Sequence, residues 1–367
     1  MTANLDSLYD RLQARRPHIP LTVALIAANL VIFALMLANG ASLWHGGQNG
    51  VQLAWGANFG PATQDGQWWR LGSALFLHFG ALHLGMNMWA LWDGGQLVER
   101  IYGSPRFALI YLGAGLAGNL LSLVNQGNLA VSGGASGAIF GIYGALLVFL
   151  WRERQALPVG EFRWLFRAAL LFTAVSIALG LFVPGIDNSA HIGGLLAGSL
   201  FALLLGQPVM QPATWSPWPR LMAGCALAGT CALLIVRLPE PSYVWHEETA
   251  AREEIREFFE RELRIQQSWQ DILRQDKATG DDLESLAQRI EAEIADPYGA
   301  SAEQLSQLDI DSPIPSALQV EALRRYSETR RDTSQALAQK LRNQARFGPT
   351  GSSRSSPSVT TQAAPAD

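Results

Sequence analysis

Cysteine is nearly missing from this 367-residue chain: only Cys225 and Cys231 occur, both in one apolar run. That excludes a disulfide framework and a Cys-based metal site. Charge is also scarce, 16% of residues, against 49% hydrophobic. The formal net charge of −4 gives no basic surface for nucleic acid. The N-terminal Met1 to Ile19 lacks an apolar centre, so it is no cleavable signal peptide, and Asp6 and Asp10 argue against a transit peptide.

The apolar residues are concentrated. From about Pro20 to Val236 one hydrophobic run follows another, whereas from Glu240 onward Glu, Arg, Gln, Ser and Asp dominate. The first part reads as a membrane domain and the second as soluble. Runs near the length needed to cross the hydrocarbon predict seven spans: Leu21–Ala38, Leu71–Leu97, Phe107–Val124, Ser136–Leu150, Trp164–Val183, His191–Leu205 and Leu221–Val236. The fourth is so short that its start must lie below the membrane surface. Trp44, Trp55, Trp68 and Trp69 mark the segment between the first two spans as a loop in the headgroup region. Arg11, Arg15, Arg16, Arg100, Arg106, Arg152, Arg154, Arg163 and Arg167 all fall on one side, which predicts a cytoplasmic N-terminus and, after seven spans, a tail on the outer face.

In the tail, Ile255, Phe258, Phe259, Trp269, Ile272 and Leu273 recur at helical spacing. Asp281 with Glu284, Ser301 with Gln304, and Ser316 with Gln319 have the spacing of helix-start capping pairs, and Asp311 to Pro315 reads as a break. The expected organisation is therefore a segment 1–19, a membrane domain 20–206, a further transmembrane helix 220–238, a soluble helical region 245–347 and a disordered tail 348–367.

Polar side chains inside membrane spans are costly and face the bundle interior or a water-filled cavity. Ser136 opens the fourth span and His191 the sixth, both from the outer side, while His83 and Asn87 lie four apart on one face of the second. A hydroxyl, an imidazole and two hydrogen-bond donors are the inventory of acyl transfer: nucleophile, general base and oxyanion donors. Taken singly, each has a bland reading: a Gly-x-Ser-Gly usually serves helix packing, and a lone intramembrane His is often a structural hydrogen-bonding group. Matching type, depth and side in four residues favours chemistry. Gly137 and Gly141 on one helix, with Gly194 and Gly198 on the other, allow the close approach that an Oγ–imidazole hydrogen bond needs.

Gly134-Ala135-Ser136-Gly137, His83-Leu84-Gly85-Met86-Asn87 and Ala190-His191-Ile192-Gly193-Gly194 together resemble the motif set of the rhomboid intramembrane serine proteases, over roughly Pro20 to Gly206. Trp69-Arg70, His78-Phe79 and Glu99-Arg100 extend the match. The resemblance implies an all-α, six-helix rhomboid-like core, to which this chain adds a seventh transmembrane helix and the soluble tail. It further implies Ser136 as nucleophile, His191 as base in a dyad without an acid, and an oxyanion hole from the Ser136 N–H, His83 and Asn87. Gly134, Gly137, Phe140 and His78 would support the site. Phe140 stands where the family often has tyrosine; it can stack on His191 but carries no hydroxyl. Asp187 is read as a loop residue and Asp93 as a buried structural acceptor.

The implied activity is endoproteolysis of transmembrane segments of membrane proteins in the lipid bilayer, expected in the bacterial inner membrane. Neither metal nor organic cofactor is implied, and no nucleic acid. The alternatives are a catalytically silent rhomboid-like protein that binds transmembrane segments, or a transporter, which would need polar residues through both halves of the bundle. The C-terminal region is a candidate module for binding a protein partner.

Overall fold

The computed structural model describes residues 7–44, 49–209, 216–279 and 282–347. Those residues are helical, with no strand beyond one isolated bridge between Asn58 and Ser132. In chain order the helices are α1 (Leu8–Arg15), α2 (Pro20–Ala38), α3 (Gly50–Ala54), α4 (Gly60–Gln64), α5 (Arg70–Ser73), a 3-10 turn (Ala74–Phe76), α6 (Ala81–Tyr102), α7 (Ser104–Gln126), α8 (Ser136–Glu153), α9 (Val159–Phe182), α10 (Asn188–Leu205) and α11 (Trp218–Val236). The tail holds α12 (Trp245–Thr279), α13 (Leu283–Ile290), a π-turn (Glu291–Ala295), α14 (Asp296–Ser306) and α15 (Ala317–Phe347). Two compact units divide at Ser242/Tyr243.

Among the described residues six helices are individually long and apolar enough to cross a membrane, and a bent pair passes the same test when its two parts are taken as one span. Here the expected continuous span Leu71–Leu97 is corrected. The chain turns by 91° between Arg70–Phe76 and Ala81–Tyr102. Gly80, at φ +106°, is the hinge, a conformation that a side chain would strain. His78 therefore sits in the bend and His83 and Asn87 in the first turns of α6.

The sequence supplies the helix ends. Pro20 is in the first turn of α2, where no N–H partner is needed. The next N–H groups, of Leu21 and Thr22, donate to the Glu99 carboxylate of α6 at 3.0 and 2.7 Å. Thr22 and Ser104 hydroxyls donate to it as well, at 2.6 Å each. A buried carboxylate is thereby spent on a helix N-terminus, where the backbone dipole favours it. Gly103, at φ +79°, ends α6 and starts α7.

α8 is the enclosed helix of the bundle: 72% of its spanning window is buried, against 11% for α9 and 6% for α11. Its neighbour α10 meets it backbone to backbone through glycine, and α7 meets α10 in the same way. A Cβ at Gly194 would stand 1.9 Å from the Gly137 carbonyl oxygen, and one at Gly198 would stand 2.1 Å from that of Gly141. A Cβ at Gly118 of α7 would stand 2.6 Å from the Ala190 oxygen. Small residues are what let membrane helices approach this closely.

In the tail unit, Ile255 and Phe258 of α12 pack with Leu305, Val320 and Leu323, while Ile265 and Ile272 pack with Ile290, Ile294 and Tyr298. Leu273, expected on the apolar face, is exposed instead. Two of the expected capping pairs are also corrected. Ser301 lies buried inside α14 and accepts from Arg261 Nε at 3.2 Å. Ser316 does precede α15, but its N–H and hydroxyl donate to the buried Glu248 at 3.0 and 2.9 Å rather than capping that helix. Asp281 and the expected disordered tail 348–367 lie outside the described residues; Asp282 flanks α13 with no side-chain cap bond.

Candidate active site

Ser136 is the first residue of α8, entered through Gly134 at φ +138°. The loop leading to it is pinned from both sides. Asn58 and Ser132 exchange backbone hydrogen bonds at 2.9 and 2.8 Å, and the Gly134 N–H donates to the Ala74 carbonyl at 2.8 Å. Arg70 fixes the opposing loop: buried, it donates from Nη1 to the carbonyls of Leu53 (2.7 Å) and Ala57 (3.1 Å), and its guanidinium lies 5.0 Å from the Trp69 ring centre. Arg70 thus braces the 49–69 segment from within, and the Asn58–Ser132 bridge ties that segment to the serine loop.

His83 borders the same glycine. A Cβ at Gly134 would fall 2.8 Å from His83 Nε2 and 3.8 Å from Ser136 Oγ, so imidazole and hydroxyl both border the space that this glycine leaves open. The Phe79 N–H donates to His83 Nδ1 at 3.4 Å. An accepting Nδ1 leaves the proton of a neutral imidazole on Nε2, which lies beside Gly134. Asn87 is buried one turn on and donates through Nδ2 to the His83 carbonyl at 2.8 Å, which fixes its amide orientation. His78 is buried edge-on to His83, ring centres 5.0 Å apart. The Ser136 N–H sits in the first turn of α8, where N–H groups have no intrahelical acceptor.

His191 lies in the first turn of α10, buried, its ring stacked on Phe140 at 4.2 Å and 8°. Phe140 is one turn beyond Ser136 on α8, so the stack ties the imidazole to the helix that carries the hydroxyl. Contact of Gly194 with Gly137 and of Gly198 with Gly141 sets the two helices side by side below it. Among the described residues, His191 Nδ1 has no hydrogen-bond partner. Asp187 therefore makes no hydrogen bond to His191 Nδ1. Read from sequence as a loop residue, it is the N-cap of α10: its carboxylate accepts from the Ala190 N–H at 3.0 Å, from Gln126 at 3.2 Å and from the Ser122 hydroxyl. An Asp three residues ahead of an N–H in a new helix is the signal that would have found it. Asp93 does accept a hydrogen bond, from the Tyr143 hydroxyl at 2.9 Å, but it is exposed rather than buried. Ser122 and Gln126, which hold Asp187, carry no motif visible in sequence.

The bundle and these residues define a polytopic helical membrane protein with a serine and an imidazole on adjoining helix starts. The rhomboid domain family model matches residues 65–208. The chain is similar to Rhomboid protease GluP of Bacillus subtilis, 40% identical over 187 residues, 51% of this chain and 35% of that protein. It is similar to YdcA of the same bacterium, 32% identical over 191 residues, 52% of this chain and 89% of that protein. RHOMBOID-like protein 9, chloroplastic, of Arabidopsis thaliana is 34% identical over 161 residues, 44% of this chain and 36% of that protein. The chain belongs to the rhomboid family, a family of intramembrane proteases. It spans about a third of the length of two of these relatives. All three alignments cover little more than half of the chain at most.

Proposed function

We propose that this protein is an intramembrane serine endopeptidase that cuts transmembrane segments of other membrane proteins. Ser136 is the nucleophile. His191 removes the Oγ proton as the scissile carbonyl is attacked, then returns it to the leaving amine; water afterwards hydrolyses the acyl-enzyme by the same route. The oxyanion is held by the Ser136 N–H, His83 Nε2–H and the second Nδ2–H of Asn87. Gly134 and Gly137 keep the approach clear, Phe140 positions His191, and His78 supports His83.

One observation supports this reading: the Cβ position that Gly134 leaves empty lies 2.8 Å from the His83 imidazole and 3.8 Å from the Ser136 hydroxyl, and the Phe79 N–H donates to His83 Nδ1. A packing serine has no need of an oriented donor beside it. The N-terminus is assigned to the cytoplasmic side of a bacterial inner membrane. The start of the tail is assigned to the side of the serine loop, because Asn128 donates to the Glu240 carbonyl at 2.7 Å and accepts from the Ser242 N–H at 3.2 Å.

The test is co-expression with a panel of tagged single-pass membrane proteins. Cleavage near a membrane boundary that disappears with Ser136→Ala supports the assignment. A folded protein that captures such segments and never cuts them favours the silent binding relative instead.

A further inference from the structure

At the end of the bundle opposite Ser136, four guanidiniums crowd around the exits of α6 and α10. Arg16 Nη1 donates to the carbonyls of Arg100 (2.7 Å) and Ile101 (3.0 Å). Arg106 Nη1 donates to the Tyr102 carbonyl at 3.5 Å and to Gln207 Oε1 at 3.1 Å. Arg15 Nη1 reaches the Val209 carbonyl at 3.4 Å, and Arg220 Nη2 the Gly206 carbonyl at 2.6 Å. The side chains come from α1 and its C-cap, α7 and α11, yet their acceptors lie on two short stretches, 100–102 and 206–209.

Helix C-termini attract cations, which explains why some charge gathers here. It does not explain the surplus. Each guanidinium has five N–H donors, and one nitrogen of each is occupied. The Nε of Arg220 is buried without a partner. None of the four forms an ion pair among the described residues. The two carboxylates nearby are buried and engaged elsewhere: Glu153 accepts from the Val209 N–H at 3.2 Å, and Glu99 from the start of α2. Burial pushes the Arg16 pKa down, and repulsion from Arg15 and Arg106 adds to it.

We propose that Arg15, Arg16, Arg106 and Arg220 hold the phosphate of an anionic phospholipid. Arginine matches phosphate in a two-pronged geometry that lysine lacks. A lipid is favoured over a soluble phosphate by where the site stands. All four residues lie within a few positions of the ends of membrane-crossing helices. Trp151, Trp164 and Trp218, at the same end, are exposed as headgroup-level indoles are. Leu221 and Met222, next along α11 from Arg220, are exposed apolar side chains against which an acyl chain fits. Basic pockets between transmembrane helices bind anionic headgroups in this manner.

Native mass spectrometry of the full chain in detergent, titrated with phosphatidylglycerol or phosphatidylcholine, tests the site. Phosphatidylglycerol is expected to be retained preferentially. Arg106→Gln and Arg15→Gln are each expected to weaken it roughly fivefold, while Arg106→Lys, which keeps the charge but loses the fork, is expected to fall between Arg106→Gln and the parent, with unchanged thermal unfolding in all three variants showing that the fold is intact. Arg154→Gln, at the same end but stacked on Trp151, is expected to change it less than twofold. Equal retention of the two lipids overturns the proposal, as does a loss with Arg154→Gln as large as with Arg106→Gln. Displacement of the lipid by millimolar inorganic phosphate reassigns the site to a soluble anion and overturns the lipid.

Discussion

Replacing Gly194 by alanine adds one methyl group where the structure has no room for it. The new Cβ would stand 1.9 Å from the Gly137 carbonyl oxygen, 2.7 Å from its carbon and 3.1 Å from its Cα. These are backbone atoms of the helix that begins at Ser136, so no side chain can rotate away. Restoring ordinary contact at about 3.5 Å requires α8 and α10 to part by about 1.5 Å. Overpacking of this kind costs about 1–3 kcal/mol, and displacing reacting groups by about 1 Å costs on the order of 100-fold in rate. Gly229→Ala on α11 is the control, because nothing lies within 4 Å of its Cβ position; replacing a mid-helix glycine there should raise stability by about 0.5–1 kcal/mol. The assay is the labelling rate of folded, detergent-solubilised protein by a fluorophosphonate, alongside thermal unfolding. Gly194→Ala should melt lower and label at least tenfold more slowly. If it melts and labels as the parent does, the helix contact does not hold the dyad together.

Phe140→Tyr preserves the stacked ring and should label at close to the parent rate, whereas Phe140→Leu loses a ring contact worth about 0.5–1.5 kcal/mol and should label several-fold more slowly. Asp187→Asn retains a capping side chain and should cost less than fivefold in labelling; a true triad acid would lose about 10⁴-fold on that change, so such a loss would restore the triad. Asp187→Ala, which removes the α10 cap, should lower stability by about 0.5–2 kcal/mol. In the tail, the Ser312 hydroxyl and N–H donate to Glu247 and hold its carboxyl below the ordinary value of 4.5. A depressed carboxylate contributes stability that is present above 4.5 and lost as pH falls through the lower folded value. Hydrogen-exchange protection factors, corrected for the intrinsic pH dependence of amide exchange, should therefore fall across residues 243–347 of the full chain on acidification below 4.5, and Ser312→Ala should reduce that fall; unchanged protection would refute the linkage.

The spans were legible because a crossing helix must be apolar over its whole length, and run length alone located the six that stand as single helices. The bend inside the second was not, since hydropathy is blind to the positive φ of Gly80 that turns the chain before α6. Ser136, His83, Asn87 and His191 stood out because polar groups are expensive in such runs; in the structure His83 and Ser136 both border Gly134, and His191 stacks on Phe140. What oriented them was hidden. The Phe79 N–H that sets the His83 tautomer is main chain, and the Ser122 and Gln126 side chains that hold Asp187 come from another helix. Capping pairs misled in the tail because polar residues three apart also recur on the wet face of any amphipathic helix, and Ser301 proved to be interior to α14.

The central claim is that Ser136 is a nucleophile activated by His191. Peptide mapping after fluorophosphonate labelling tests it directly, with the folded parent, Ser136→Ala, His191→Ala and heat-unfolded parent side by side. A single adduct on Ser136, absent from both variants and from the unfolded protein, is the predicted result. A folded parent that takes up no label, or labelling of Ser136 that persists in His191→Ala, would contradict the account.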